Sequence, residues 1–469
     1  MKEKLQTRKD FLTFTAKTLG IGAGVLTLPG SQAFASKTQL SQQDSATSYL
    51  IKNANIISMD AGIGNLPDGD ILIREGKIVS VQKSIIDNRA TVINGKGMVV
   101  LPGFVETHWH IWTSLMRALA GSKPGLPYFK LATTMGPLYS PENTYDSTRL
   151  ALAEAISSGI THVHDWSHNI IDQHYAEASL KAIKESGIRS RFSLGVAAGK
   201  DDIDLSILQQ LKNNWSKYDN NGLISLGLAW PGTTKNLETR RREVITARKL
   251  GLPISFHAGR NKDNSDTVQQ VLDLGLLEKD MQIVHGINTT KAEYTSIAKA
   301  GASVSVSPFS ELRIGYGLPP ATDMINSGAA LGFSVDTTPL SGNADMFAIM
   351  KIFTNLATGM SRDEFQITAQ RVLEIATIEG ARSLGIDQLT GSLTPGKFAD
   401  LQMINTNAIN IGVVTDPVQL ITLSAQPSNV DTVMANGKIL KRNGQLTYTD
   451  IHEVITSART SLKDLMSRS

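Results

Sequence analysis

The sequence predicts an α/β protein, a TIM-like (β/α)8 barrel carrying a small composite β-sandwich built from both chain ends. Three observations carry that prediction. Eight apolar, strand-like runs recur through the middle of the 469-residue chain with helix-like segments between them. Strands alternating with helices form a parallel sheet, and eight such units suit a closed barrel better than an open sheet. Both chain ends have another texture, short strand-like runs broken by Gly, Asn and Asp. Most histidines stand where the central runs end, which in a barrel is the rim that carries the chemistry.

In chain order, residues 1–35 read as an export signal rather than as fold. Lys2, Lys4, Arg8 and Lys9 make a basic start, Leu19–Leu28 is rich in Gly, Ala and Leu, and Ala33-Phe34-Ala35 offers a small-x-small cleavage site. "TRKDFLTF" resembles the twin-arginine export motif with Lys9 in place of the second arginine, so that route or the general secretory one would lead to the periplasm. The apolar stretch is too short for a lasting span, and no stable membrane span is expected in the mature form. The whole chain carries +3, but residues 1–35 hold five basic and two acidic residues, so the remainder balances at zero. A nucleic-acid partner would leave a basic excess. The expected partner is therefore a small-molecule substrate, with a homo-oligomer left open. The chain has no cysteine, which excludes thiolate metal sites, Cys nucleophiles and disulfides.

After a polar lead over residues 36–47, the runs "YLIKNANIISM", "GDILIREGKIVSVQ" and "ATVINGKGMVVL" are matched near the other end by "ADLQMINTN" and "VDTVMANGKIL". They assign 48–98 and 391–446 to the composite sandwich. Residues 99–390 form the barrel, with strands in "MVVLPGFVETH", "GITHVHDW", "RSRFSLGVA", "LISLGLAW", "LPISFHAG", "MQIVHGI", "ASVSVSP" and "LGFSVDTT". A helix closes the chain within 447–469.

The first barrel run ends in His108 and His110. Strand positions i and i+2 share a face, so the two imidazoles point together and Trp109 points away. The second run ends in His162, His164, Asp165, Trp166 and His168, the fifth at His257, the sixth at His285 and the eighth at Asp336. Taken singly, His257 and His285 read more readily as buried, hydrogen-bonded core histidines than as ligands. Taken together, His108, His110, His257 and Asp336 form a three-imidazole, one-carboxylate set suited to Zn²⁺ or Fe²⁺ with a position left for water. Such an ion brings the pKa of bound water from about 15.7 towards 7.

These residues resemble the amidohydrolase superfamily, in its cytosine deaminase and triazine hydrolase branch. "PGFVETHWH" is similar to that family's Pro-Gly-Phe/Leu-x-Asp/Asn-x-His-x-His signature, "HAG" and "VHG" to its fifth- and sixth-strand histidines, and "VSVSPFSELRIGYGLPP" and "SVDTT" to its last two strands. Residues 376–404 resemble its return from barrel to sandwich, and the likeness spans about Ile51 to Leu440. The resemblance implies one divalent metal, zinc first and iron second, on His108, His110, His257 and Asp336. It also implies attack by metal-activated hydroxide, with Asp336 accepting the proton and His285 donating to the substrate or the tetrahedral centre. The fourth run ends in "LAWPG", with no Lys or Glu to bridge a second ion, so one ion is expected; Lys200 is the residue that would upset this.

One position departs from the family. Deaminases of this branch carry a glutamate three residues after the fifth-strand histidine, and this chain has Arg260. A guanidinium, with a pKa above about 12, cannot shuttle protons. Glu311 is the expected substitute, or else a loop carboxylate pairing Arg313 or Arg260. Arg260 reads as a clamp for an anionic substrate or as a structural salt bridge. Trp109, Trp112, Trp166 and Trp230 are expected near the rim, as packing or as walls for a flat heterocycle. Trp112, His168 and Arg260 are the candidate substrate-binding residues, and His164 is expected to hydrogen-bond behind the site. The expected activity is deaminase-like hydrolysis of a non-peptide C–N bond in a small heterocycle. The alternatives are a cyclic amidase or dechlorinase-type hydrolase, a catalytically silent exported binding protein, and a metal-stabilised structural module.

Overall fold

The computed structural model describes residues 48–469 apart from 123, 198, 234–235 and 261–266; the expected export signal lies outside the described residues. Five strands come first: β1 (Ser48–Ile57), β2 (Asn65–Arg74), β3 (Lys77–Gln82), β4 (Thr91–Asn94) and β5 (Met98–Pro102). Eight more alternate with helices: β6 (Phe104–Trp109), β7 (Ile160–Ser167), β8 (Arg189–Gly195), β9 (Ile224–Trp230), β10 (Ile254–Ala258), β11 (Met281–His285), β12 (Ser303–Val306) and β13 (Ala330–Phe333). The last four are β14 (Leu401–Asn405), β15 (Val430–Ala435), β16 (Lys438–Arg442) and β17 (Gln445–Leu446), followed by the helix Ile451–Ser467.

The two chain ends share one nine-stranded sheet, ordered β17-β16-β15-β14-β5-β1-β2-β3 with β4 beside β1. Strands far apart in that order feed a single core, in which Ile73 and Ile78 meet Leu401, Met434 and Ile439. The sheet therefore wraps back on itself. Its two outer turns touch where neither carries a side chain: a Cβ on Gly437 would lie 2.4 Å from the Cα of Gly76.

The run "MVVLPGFVETH", expected as one barrel strand, is two. Val99–Pro102 pair with β1 and β14 in the nine-stranded sheet, and the barrel begins at Phe104 rather than at residue 99. Two strands buried in two different cores leave no polar break between them, so periodicity alone cannot separate them. Gly103 makes the turn, and a Cβ there would sit 2.1 Å from the Thr161 side chain.

From β6 to β13 each barrel strand pairs in parallel with the next. Closure between β13 and β6 relies on individual bonds. Thr107 Oγ1 donates to the Phe333 carbonyl (2.9 Å), the Asp336 N–H to the His108 carbonyl (2.9 Å) and the His110 N–H to the Asp336 carbonyl (2.6 Å). The buried Glu106 carboxylate accepts N–H groups from His108 (2.9 Å), His164 (3.2 Å) and Val335 (3.2 Å). One side chain thus ties β6, β7 and the segment after β13 together beneath the rim. Apolar residues such as Phe192, Leu228, Ile283 and Leu331 fill the core between sheet and helices. The closing helix buries Ala458 and Leu465 in a cluster with Trp112 and Leu131, beside the rim. No helix among the described residues is long and apolar enough to cross a membrane.

Candidate active site

The C-terminal ends of β6, β10 and β13 bring four side chains to one point. His108 is the penultimate residue of β6, and His110 follows as the strand gives way to the short helix Ile111–Met116. His257 stands near the end of β10, and Asp336 three residues past β13. One ligand atom from each lies within 4.8 Å of the others. His108 Nε2 is 3.3 Å from His257 Nε2 and 3.3 Å from Asp336 Oδ1, and His110 Nε2 is 3.4 Å from that same oxygen. In a tetrahedral site with metal–ligand bonds of about 2.0–2.1 Å, neighbouring donors stand about 3.4 Å apart. The donor set fits a small divalent cation in spacing and in chemistry. Burial also holds all three imidazoles well below their usual pKa, in the neutral form a metal requires.

The surroundings aim these groups. His110 Nδ1 faces the Trp166 carbonyl at 3.1 Å, which leaves Nε2 for the site. His108 Nδ1 has no partner among the described residues; its ring is held by edge contacts to His110 and Trp166. Asp336 (φ +59°) and His285 (φ +77°) both adopt the left-handed backbone conformation. Non-glycine residues pay strain there, and the strain persists only where the surroundings impose it. At His285 the next residue, Gly286, is pinned by Tyr294, whose hydroxyl donates to the Gly286 carbonyl at 2.8 Å.

His285 faces the cluster, its ring stacked on His257 with centroids 5.3 Å apart. Behind it, His285 Nδ1 lies 3.1 Å from Glu311 Oε1, which also accepts the Ser307 N–H at 2.8 Å. Glu311 is therefore not a loop carboxylate, and its close partner is His285 rather than Arg313. It belongs to the helix Pro308–Ile314, is fully buried, and acts on the site through His285. The sequence placed it correctly after the seventh strand but could not show which side of His285 it occupies.

A cavity of about 250 Å³ opens over the cluster, lined by Trp112, Trp166, His168, Arg260 and His285 together with Tyr128, Phe129 and Tyr316. The Trp112 indole N–H donates to His168 Nδ1 at 3.2 Å, so neutral His168 turns a donor Nε2–H away from Trp112. Burial keeps His168 neutral, with its pKa pushed down to about 4. Trp109 and Trp230 close β6 and β9 at the rim but serve as packing rather than as cavity walls: both are fully buried, Trp109 in the main core and Trp230 against Phe256. Lys200 is exposed and does not line the cavity over the four donors. His164 lies behind the site as expected, between the Thr107 carbonyl and Ser193 Oγ at 2.8 Å each. Tyr128 and Phe129 carried no motif in the sequence, and Tyr316 lies inside the seventh-strand segment without having stood out there as a site residue. The one available signal was the aromatic pair at 128–129 in the long connection after the first barrel strand.

Comparison with known proteins agrees with this geometry. The sequence profile of the Amidohydrolase family matches residues 99–440. A 5'-deoxyadenosine deaminase of Methanosarcina acetivorans is 26% identical over 433 residues, covering 89% of this chain and 98% of the relative. Among solved structures, an adenosine deaminase from Xanthomonas campestris with bound zinc superposes with a TM-score of 0.82 at 21% identity, over 90% of this chain and 99% of that one. The atrazine chlorohydrolase of Arthrobacter aurescens complexed with zinc gives 0.78 at 21% identity, over 88% of this chain and 100% of its own.

Proposed function

Because this chain belongs to the Amidohydrolase family and is similar to 5'-deoxyadenosine deaminases, we propose that it hydrolyses a non-peptide carbon–nitrogen bond, removing an amino group from a flat, small heterocycle of the aminopurine kind. The observation that carries this reading is a cluster of four side chains that could hold a metal, with His285 beside it, beneath a cavity walled by Trp112, Trp166 and Tyr316. The cavity is somewhat smaller than the roughly 300–1,000 Å³ of ordinary ligand pockets. A single ring system between aromatic walls matches it, and the deoxyadenosine deaminase relative supports the purine choice.

His108, His110, His257 and Asp336 would hold one Zn²⁺, which would supply a Lewis acid and bring the pKa of water from about 15.7 towards 7. Asp336 accepts the proton of the attacking water. His285, with its Nδ1 fixed by Glu311, turns Nε2 toward the substrate, where it can pass a proton from the attacking water to the ring nitrogen. His168 Nε2–H and Arg260 orient the substrate. Asp336 and the His285–Glu311 pair carry the proton traffic, because Arg260 stands where this branch carries its glutamate. That same arginine favours a second reading, displacement of a ring substituent other than an amine. Export to the periplasm through residues 1–35 completes the proposal, supported by the basic start and the Ala33-Phe34-Ala35 site.

The test is metal analysis coupled to an ammonia-release assay over aminopurines, their 5'-deoxynucleosides and amino-triazines. About one equivalent of zinc with ammonia from an aminopurine is expected. Release of a chloride or alkoxide group without ammonia would favour the second reading, and two equivalents of metal would overturn the single-ion assignment.

A further inference from the structure

At the opposite end of the barrel, a cavity of about 640 Å³ opens among the N-terminal ends of β10 to β13. Three arginines are buried among the described residues: Arg189, Arg191 and Arg240. Arg189 is paired with the buried Asp400 at 2.8 Å, and Arg240 with Glu243 at 2.6 Å and Asp202 at 2.8 Å. Arg191, only 7% exposed, has no carboxylate partner among the described residues. Its Nη2 donates to the Leu384 carbonyl and its Nε has no partner there. The side chain passes over Gly227, where a Cβ would lie 3.2 Å from Arg191 Cδ, and it lines the cavity.

The rest of the cavity wall has the same sign. Lys279 and Arg382 line it, and its one acid, Asp280, is held at 2.8 Å by Arg248, which also pairs with Glu278 at 3.0 Å. Gln282, also on the wall and 2% exposed, spends its Oε1 on Ser255 (3.1 Å) while its Nε2 is unpartnered among the described residues. Both orphaned atoms are donors. A buried cation without a counter-charge is costly, and water can satisfy its hydrogen bonds but not its charge. We infer that this N-terminal mouth is a second binding site, in which the Arg191 guanidinium and the Gln282 amide take a small oxyanion of the phosphate class. Burial lowers the Arg191 pKa to about 10, so the group stays charged at neutral pH. The inference does not rest on the chemistry at the other mouth.

The test uses the metal-loaded protein, with Tm followed against inorganic phosphate and, separately, ribose 5-phosphate, in chloride buffer of matched ionic strength. Phosphate is expected to raise the Tm of wild type and to leave Arg191→Met unmoved. Removing an uncompensated buried charge is expected to leave that variant at least as stable as wild type without the anion. Arg382→Ala, a substitution of an exposed rim residue, is expected to weaken phosphate about two- to fivefold. A larger shift with ribose 5-phosphate identifies an organic phosphate as the ligand, and an equal or smaller one identifies free phosphate. No shift in wild type, or the same shift in Arg191→Met, overturns the proposal; if Arg191→Met does not fold, an undiminished phosphate affinity in Arg382→Ala overturns it.

Discussion

The two mouths of the barrel are both polar, and they handle buried polar groups in opposite ways. At the C-terminal mouth three neutral imidazoles and a carboxylate crowd to within 4.8 Å of one another, around a point. At the N-terminal mouth one guanidinium faces a wide basin with no carboxylate of its own. Crowded donors with converging lone pairs call for a small cation, and an isolated buried cation calls for an anion. The sign and spacing of the unmet groups, rather than the size of the cavity, tell the two ends apart.

The largest expected effect breaks the C-terminal mouth alone. Asp336→Asn removes a ligand and the proton acceptor together, and kcat/KM should fall roughly 10³-fold or more. The phosphate-induced Tm shift at the other mouth should survive. If ammonia release persists within tenfold of wild type, Asp336 is not the acceptor. Metal removal comes next. A cation that binds only the folded chain stabilises it by about 2.7 kcal/mol at a hundredfold excess over Kd. Chelation should lower Tm and zinc should restore it, and an unchanged melting curve after verified metal loss would count against the cluster as a metal site.

How much of this was legible in the sequence follows the chain's local logic. His108, His110 and Asp336 end strand-like runs, so spacing alone placed them at a rim. Arg260 stood out because a guanidinium cannot do a carboxylate's work. What stayed hidden depends on contacts between distant segments. Gly103 separates two sheets inside one unbroken apolar run, and only the Thr161 side chain 2.1 Å from its absent Cβ reveals why. Trp109 and Trp166 look alike in sequence, yet one is packed in the core and the other lines the cavity. Arg191 looks like any strand-start arginine until its neighbours prove to hold no carboxylate.

Glu311 gives a third, intermediate effect. Glu311→Ala should lower kcat roughly 10–100-fold with metal content intact, the usual cost of losing the partner that orients a working histidine. Glu311→Gln keeps an acceptor for His285 Nδ1 and should recover part of the loss. Equal activity in the two variants would mean that the charge, and not the orientation, is what His285 draws from this residue.

The smallest effect tests the cavity wall. Trp112→Phe preserves an aromatic ring beside Tyr139, whose ring centroid lies 5.3 Å away, and removes only the N–H that His168 Nδ1 accepts. With that bond gone His168 can place its proton on either nitrogen, and the donor it offers the substrate is no longer fixed. One hydrogen bond is worth about 0.5–1.5 kcal/mol, so KM should rise roughly two- to tenfold while kcat and bound metal hold. A fall in kcat at constant KM would instead place His168 in the chemical step, and would move the boundary between the groups that orient the ring and those that act on it.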